Sequence, residues 1–193
     1  MPAQHANLPP EELLGFPLPA GSSPADLELL LKRLAAVDPA WDVLGPLVAF
    51  DPRGYVRKRL YRDERWELLL LCWLPGQHTV VHDHGGSWGA MRILSGELFE
   101  SRYVTAGEGQ PLRVTIEQTC GAPAALGEGV ETIHRNENRA AVPAISLHMY
   151  SPPLTVLNSF DLATGAHHEV RLDEGPPVAV GGKPGVRPSI PVI

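Results

Sequence analysis

The sequence has few cysteines, no long apolar run and no excess of basic residues, and each shortage excludes a class of protein. Its 193 residues carry 16 Lys and Arg against 22 Asp and Glu, a formal net charge of −6. We therefore expect no basic surface for nucleic acid. The longest apolar run, Leu68–Leu74, is far shorter than the roughly 20 residues that span a bilayer. Only Cys72 and Cys120 occur, which predicts two free thiols and a cytoplasmic protein.

Proline and glycine, by contrast, are abundant, with 20 and 19 residues spread through the chain without a period. This distribution of proline and glycine is typical of a chain with many short elements separated by turns. About ten short strand patterns follow residue 53 with no helical pattern between them, which predicts a mainly β fold, a β-barrel or double-sheet jelly roll. The predicted strands are 55–61, 66–73, 79–82, two between 89 and 103 around the turn at Ser95-Gly96, 112–119, 130–134, 144–150, 155–161 and 167–172.

The N-terminal part of the chain predicts a helical cap on this β fold. Ser23-Pro24-Ala25-Asp26 combines an N-cap serine, a proline at the first helical position and an acid in the first turn. Four leucines between Leu27 and Leu34 then repeat at the spacing of one helix face, which packs against the core or a partner. The predicted organisation is a helical cap (1–50), a β-barrel (51–172) and a Gly/Pro-rich tail (173–193), all within one structural domain.

The stretch between Gly76 and Gly89 contains the pattern on which the functional prediction depends. His82 and His84 are separated by one residue, so on a β-strand they would point to the same face. Imidazoles on one face can converge on a metal ion, and His134 offers a third imidazole from another strand. The remaining histidines outside the motifs are expected to be ordinary surface or core residues; they are His5, His78, His167 and His168.

Two further sets of residues each lie on one face of a predicted strand and carry side chains suited to chemistry. Ser146, His148 and Tyr150 alternate along one predicted strand, in a row that could relay a hydrogen bond. Tyr55 and Arg57 likewise lie on one face of an earlier predicted strand. A guanidinium pointing into a metal pocket would bind a carboxylate, whereas the alternative for Arg57 is a solvated face.

The spacing of these residues resembles the two motifs of the cupin superfamily. Gly76, His82-Asp83-His84 and Gly96 match the first motif, and His134 with Asn138 matches the end of the second. One position departs from the pattern. Where most cupins place an acidic metal ligand, this chain has glycine.

That departure predicts a site of unusual charge. The glycine is Gly89, and its neighbours Trp88 and Ala90 cannot bind a metal either. Three imidazoles alone would form a neutral site, in which a divalent ion keeps its full charge. Such a site favours an anionic substrate, for example a thiolate.

Together these features resemble the cysteine dioxygenases of the bacterial type, in the three-histidine thiol dioxygenase branch of the cupins. The resemblance runs from about residue 55 to about residue 172. Besides the residues above, it includes Cys72-Trp73, Ser151-Pro152-Pro153 and Phe160-Asp161.

The resemblance implies an oxidoreductase with Fe(2+) held by His82, His84 and His134. Its substrates would be L-cysteine, bound through thiolate and amine, and O2, and its product cysteine sulfinic acid, in cysteine catabolism. Arg57 would pair with the substrate carboxylate, and Tyr55 would lie near it. We expect small-molecule partners, with no nucleic acid and no membrane, and the oligomeric state stays open.

The resemblance also implies roles on the later strand. Tyr150 would lie beside the substrate and O2, with His148 and Ser146 fixing its hydroxyl. Gly89 stands where the mammalian relatives carry a cysteine crosslinked to this tyrosine, so Tyr150 is expected to be an unmodified phenol. The Ser151-Pro152 bond is expected to be cis.

Three alternatives remain open at this stage. The nearest is a dioxygenase for 3-mercaptopropionate or another small thiol, a branch that generally carries glutamine where Arg57 stands. A second is a non-catalytic cupin that binds a metal or a thiol. A third is a three-histidine cupin acting on carbon substrates such as diketones or aromatic acids.

Overall fold

The computed structural model describes residues 8–21, 23–107 and 109–172, so His5 and the predicted tail at 173–193 lie outside the described residues. The N-terminal part forms three short helices, α1 (Pro10–Leu14), α2 (Pro24–Ala36) and α3 (Trp41–Leu44), and then a 3-10 turn at Gly45–Leu47. Ser23 caps α2 as predicted: its Oγ accepts from the Asp26 N–H at 3.2 Å, and the Asp26 carboxylate accepts from the Ser23 N–H at 3.1 Å.

Ten strands follow the helices. They are β1 (Val56–Arg62), β2 (Glu67–Trp73), β3 (Trp88–Ser95), β4 (Glu97–Val104), β5 (Arg113–Gly121), β6 (Ala125–Glu128), β7 (Ile133–Glu137), β8 (Ala144–Ser151), β9 (Val156–Phe160) and β10 (His167–Arg171). No helix lies among these strands within the described residues, in agreement with the predicted pattern.

The strands form two layers. One layer is a five-stranded sheet in the order β1-β2-β8-β3-β6, and the other contains the sheets β5-β4-β7 and β9-β10. Within the second layer, His82 bridges His134 of β7 on one side and Ser159 of β9 on the other. The mainly β, double-sheet prediction is thereby confirmed, although the described sheets do not close into a continuous barrel.

Two details of the predicted strands are wrong. The segment at 79–82 makes only isolated bridges, because it lies between β7 and β9 and the chain turns at once through Gly85 and Gly86, whose φ angles are 54° and 92°. Conversely, β6 forms inside a Gly/Ala/Pro-rich stretch where no strand was predicted. This short strand pairs with β3 and carries Glu128 to the centre of the molecule.

The central strands β2 and β8 of the five-stranded sheet are buried on both faces, as predicted for β2. Leu68 and Leu70 pack with Leu30 and Leu34 of α2 on the outer face, so the leucine stripe serves the core. The alternate residues, such as Leu69, face the second layer. Both cysteines are free and buried, and Ser151-Pro152 is cis. Within the described residues, none of the helices has the length and apolar character needed to cross a membrane.

Candidate metal centre

The three histidines singled out by the sequence converge in the interior. His82, His84 and His134 are at most 7 % exposed, and one ring nitrogen of each lies within 4.8 Å of the others. The Nε2 atoms of His84 and His134 are 3.1 Å apart. Two nitrogens bound at right angles to one ion, at about 2.1 Å each, would be about 3 Å apart. The spacing therefore fits a shared metal ion.

Backbone pairing brings His82 to this cluster. Its N–H donates to the His134 carbonyl and its carbonyl accepts the His134 N–H, both at 2.9 Å. The ring Nδ1 donates to the carbonyl of Val80 at 3.0 Å, which leaves Nε2 for a metal. Burial, followed by the nearby His134, lowers the pKa of His82 to about 3, so the ring is neutral at pH 7, the form that binds metals.

A buried carboxylate orients His134. Glu100 on β4 accepts from His134 Nδ1 at 3.3 Å and from the Gln118 amide at 2.7 Å, and it pairs with Arg102 Nε at 3.0 Å. Burial raises the pKa of Glu100, but the hydrogen bonds from these three partners outweigh it and bring the pKa to about 2. The ionised carboxylate holds the hydrogen on Nδ1 and leaves His134 Nε2 for an ion.

A second buried carboxylate lies on the other side of the cluster. Glu128 on β6 is fully buried, with Oε2 at 3.5 Å from His84 Nε2 and Oε1 at 3.4 Å from His134 Nδ1. Within the described part of the chain, neither oxygen has a hydrogen-bond partner, and nor does His84 Nδ1. Burial raises the pKa of Glu128. These unpaired polar atoms fit a cluster built around a cation.

Sequence reasoning missed both buried carboxylates beside the histidines, and the interpretation of the three histidines as a neutral ligand set stays a prediction. Glu128 belongs to a strand that was not predicted, and Glu100 carried no motif that would distinguish it from other strand glutamates. The alternation of β4 around Glu100 was the only available signal.

The predicted row on β8 is present beside the histidines. Ser146 Oγ is 2.9 Å from His148 Nε2, and the Tyr150 hydroxyl is 3.4 Å from His148 Nδ1. Trp73 extends the row, because its Nε1–H donates to Ser146 Oγ at 2.9 Å. Burial, followed by the charge on His134, lowers the pKa of His148 to about 3. Burial also raises the pKa of Tyr150 well above its usual range.

A pocket opens against this cluster, and most of the predicted site residues line it. They are Tyr55, Arg57, His82, His134, His148 and Tyr150. His84 and Ser146 are fully buried behind its wall. Arg57 is held by Glu67, whose carboxylate lies 3.5 Å from its Nη2 atom, and Tyr55 stacks on Trp73 with ring centroids 4.3 Å apart.

The chain is similar in sequence to one protein family and to several of its characterised members. The family described as "Cysteine dioxygenase type I" matches residues 25–163. Cysteine dioxygenase type 1 of Danio rerio is 33 % identical and that of Homo sapiens 30 % identical, each over 64 % of this chain. The matched segment spans 64 % of the length of each relative. A solved Klebsiella pneumoniae protein with a double-stranded β-helix domain is similar at a TM-score of 0.49, with 16 % identity over 63 % of this chain and 88 % of that chain.

Proposed function

The chain belongs to the cysteine dioxygenase type I family, and from this premise we propose that it is an iron-dependent thiol dioxygenase converting L-cysteine and O2 to cysteine sulfinic acid. One observation carries the proposal. Two of the three convergent histidines, His82 and His134, line a pocket that also contains a guanidinium, from Arg57, and a phenol, from Tyr150. A metal-binding module without catalysis would need neither of these groups at the opening.

The metal would be held by His82, His84 and His134, whose spacing suits a divalent transition ion. Iron(II) would supply the redox chemistry by which both atoms of O2 are transferred to the substrate sulfur. The chain's own residues bind and orient the substrate beside it.

Arg57 is assigned to the carboxylate of the substrate. Its side chain is 12 % exposed and is steadied by Glu67, which is itself buried. Arg59 and Arg62 lie 4.0 Å and 3.4 Å from the same carboxylate. One negative charge among three guanidinium groups leaves an excess of positive charge, so the region attracts an anion. A guanidinium also matches a carboxylate in geometry.

Tyr150 is assigned as a hydrogen-bond donor to the substrate. Because its pKa lies well above 10, the phenol keeps its hydrogen at neutral pH. A neutral His148 with its hydrogen on Nδ1 satisfies the whole row: Trp73 donates to Ser146, Ser146 donates to His148 Nε2, and His148 donates to the tyrosine oxygen. The phenol hydrogen is then left to point into the pocket.

The test is a panel of thiols presented to protein loaded with iron under anaerobic conditions. We expect O2 uptake with L-cysteine, one O2 per sulfinate formed, and slower uptake with 3-mercaptopropionate. Preference for 3-mercaptopropionate would replace the substrate assignment. No O2 uptake with any thiol at stoichiometric iron would overturn the proposal in favour of a binding protein.

A further inference from the structure

The pocket beside the histidines contains an amide, from Asn136, whose oxygen no described residue engages. The side chain is 1 % exposed and lines the pocket, and within the described part of the chain its Oδ1 atom has no hydrogen-bond partner. The other buried side-chain atoms without a partner there belong to residues outside the pocket lining. Buried polar atoms are rarely left unpaired, so an unpaired one at a pocket indicates a hydrogen bond made to a ligand.

The pairing of β7 holds Asn136 on the pocket side of the strand. Its N–H donates to Thr79 Oγ1 at 3.1 Å, and its carbonyl accepts from the Thr79 N–H at 2.9 Å. Because side chains alternate along a strand, Asn136 shares the inner face of β7 with His134. Arg135 and Glu137 lie on the outer face, where Arg135 Nη2 and Glu137 Oε2 are 3.5 Å apart. The amide therefore projects into the pocket beside one of the three histidines.

The carboxylate that faces Asn136 across the ladder is engaged elsewhere. Glu100 on β4 is its direct partner in register. The oxygens of Glu100 are taken by three other groups, which are the His134 ring, the Gln118 amide and the Arg102 guanidinium. The amide oxygen of Asn136 is thus outside the set of contacts that orients the histidine. Asparagine has a broad terminal torsion, so this oxygen can turn toward a ligand in the pocket.

The amino group of the proposed substrate is the ligand group that suits this oxygen. An amide oxygen accepts an N–H and adds no negative charge beside the histidines. L-Cysteine and 3-mercaptopropionate share a thiol and a carboxylate and differ in the α-amino group. Contact between Arg57 and the carboxylate is therefore available to both thiols. A residue that distinguishes them by direct contact has to meet the amine.

We propose that Asn136 is a substrate-binding residue, whose amide oxygen accepts a hydrogen bond from the amino group of L-cysteine and so selects amino thiols. The inference rests on the proposed function for its thiol substrate. A site built to hydrogen-bond an N–H of its substrate discriminates strongly against an analogue without it, because the buried acceptor is then left unpaired. With 3-mercaptopropionate bound, the oxygen of Asn136 stays without a partner.

The first experiment measures thiol binding in the absence of O2, so that no turnover occurs. Calorimetric titration of Fe(II)-loaded protein gives Kd for L-cysteine, for cysteamine, which lacks the carboxylate, and for 3-mercaptopropionate, which lacks the amine. Asn136→Leu keeps the approximate size of the side chain and removes its polar atoms. We expect it to weaken the binding of both amines about 5- to 150-fold, the change produced by leaving one buried hydrogen-bonding group unpaired. Kd for 3-mercaptopropionate should stay at the wild-type value.

Glu137→Gln is the matched control, because it changes the next side chain on the same strand but on the outer face. It should bind all three thiols as the wild type does. In Asn136→Leu, metal affinity measured by competition with a chelator should also be unchanged. A loss of metal affinity there would count against the inference, since Asn136 would then act through His134. If Asn136→Leu does not fold by circular dichroism, Asn136→Ala takes its place with the same expected pattern.

The second experiment follows selectivity during turnover. For Asn136→Leu, the ratio of kcat/KM for L-cysteine to that for 3-mercaptopropionate should fall about 5- to 150-fold, in parallel with the binding data. An equal loss on all three thiols in either experiment would overturn the inference, because a structural role does not depend on the amine. Unchanged binding of all three would overturn it as well.

These outcomes separate the inference from the proposed function. Amine-dependent thiol binding that Asn136→Leu abolishes, without O2 uptake by the wild type, would leave the inference standing and remove the proposed function. Oxidation of L-cysteine at the wild-type rate and selectivity by Asn136→Leu would do the reverse.

Discussion

The two sides of the histidine cluster treat buried polar groups differently. On the β8 side, the row from Trp73 through Ser146 and His148 to Tyr150 is hydrogen-bonded from end to end. On the β6 side, Glu128 has no hydrogen-bond partner within the described residues. An unpaired buried polar atom costs about 1–3 kcal/mol, and more when it is charged. The β8 side is satisfied by the protein's own groups, whereas the β6 side leaves a buried carboxylate without such a partner.

This difference indicates that the two sides of the histidine cluster have separate roles. We expect changes on the β8 side to affect the reaction and leave metal affinity intact. Changes on the β6 and β4 side should affect the metal first. Variants on each side should therefore separate loss of reaction from loss of metal binding.

The largest effect is expected from Tyr150→Phe, which removes only the hydroxyl at the pocket end of the row. Removing one positioned hydrogen-bond donor from an active site costs about 10²- to 10³-fold, so kcat for O2 uptake with cysteine should fall within that range. Metal affinity, measured by competition with a chelator, should stay at the wild-type value. A parallel loss of metal affinity would mean that the two sides act as one unit.

Arg57→Gln is expected to lower kcat/KM for cysteine about 10- to 150-fold, since a hydrogen bond to a charged group contributes about 1.5–3 kcal/mol. The loss on 3-mercaptopropionate should be far smaller, because the resemblance on which this prediction rests associates that substrate with glutamine where Arg57 stands. Arg59→Gln is the matched control: it also lies beside Glu67, at 4.0 Å, but outside the pocket lining. Equal losses on both thiols would contradict the carboxylate role of Arg57.

Metal-induced stabilisation should distinguish the two sides directly. At a free metal concentration of 100 times Kd, bound metal adds about 2.7 kcal/mol to the unfolding free energy. Glu100→Gln, with affinity lowered about 10-fold, should retain about 1.4 kcal/mol of that increment at the same concentration. Ser146→Ala lowers the baseline stability but should keep the full increment. Denaturant titrations with and without Co(II) measure the increment in each variant. A smaller increment in Ser146→Ala than in the wild type would contradict separate roles for the two sides.

The smallest effect concerns pH. Burial lowers the pKa of His148 to about 3, below the value of about 6.5 for an exposed histidine, so between these values the unfolded chain binds a proton that the folded chain does not. Its contribution to stability is complete above about pH 6.5 and is lost as the pH falls toward 3. In metal-free protein, His148→Gln should reduce the slope of unfolding free energy against pH by up to about 1.4 kcal/mol per unit. Identical slopes would contradict a neutral buried ring.

Local patterns predicted much of the fold because they depend on neighbours in the chain. Ser23 and Asp26 form the expected capping box, and β2 is buried on both faces as its unbroken apolar sequence indicated. The errors fall where local preference is weak. The segment at 79–82 has β-branched residues but crosses between two strands, and β6 pairs with β3 in spite of its glycine and alanine content. Tertiary pairing decided both.

For the site, the sequence alone determined the residues that lie on one strand and share its face. Ser146, His148 and Tyr150 form their row because side chains alternate with period two, and spacing alone also identified the histidines. Only the tertiary structure decided which charges join them. Gly89 and Glu128 meet through the register of two paired strands, and that register follows from the whole sheet rather than from either segment. The sequence shows glycine where an acid is usual, and only the fold shows that the Glu128 carboxylate on β6 lies against it.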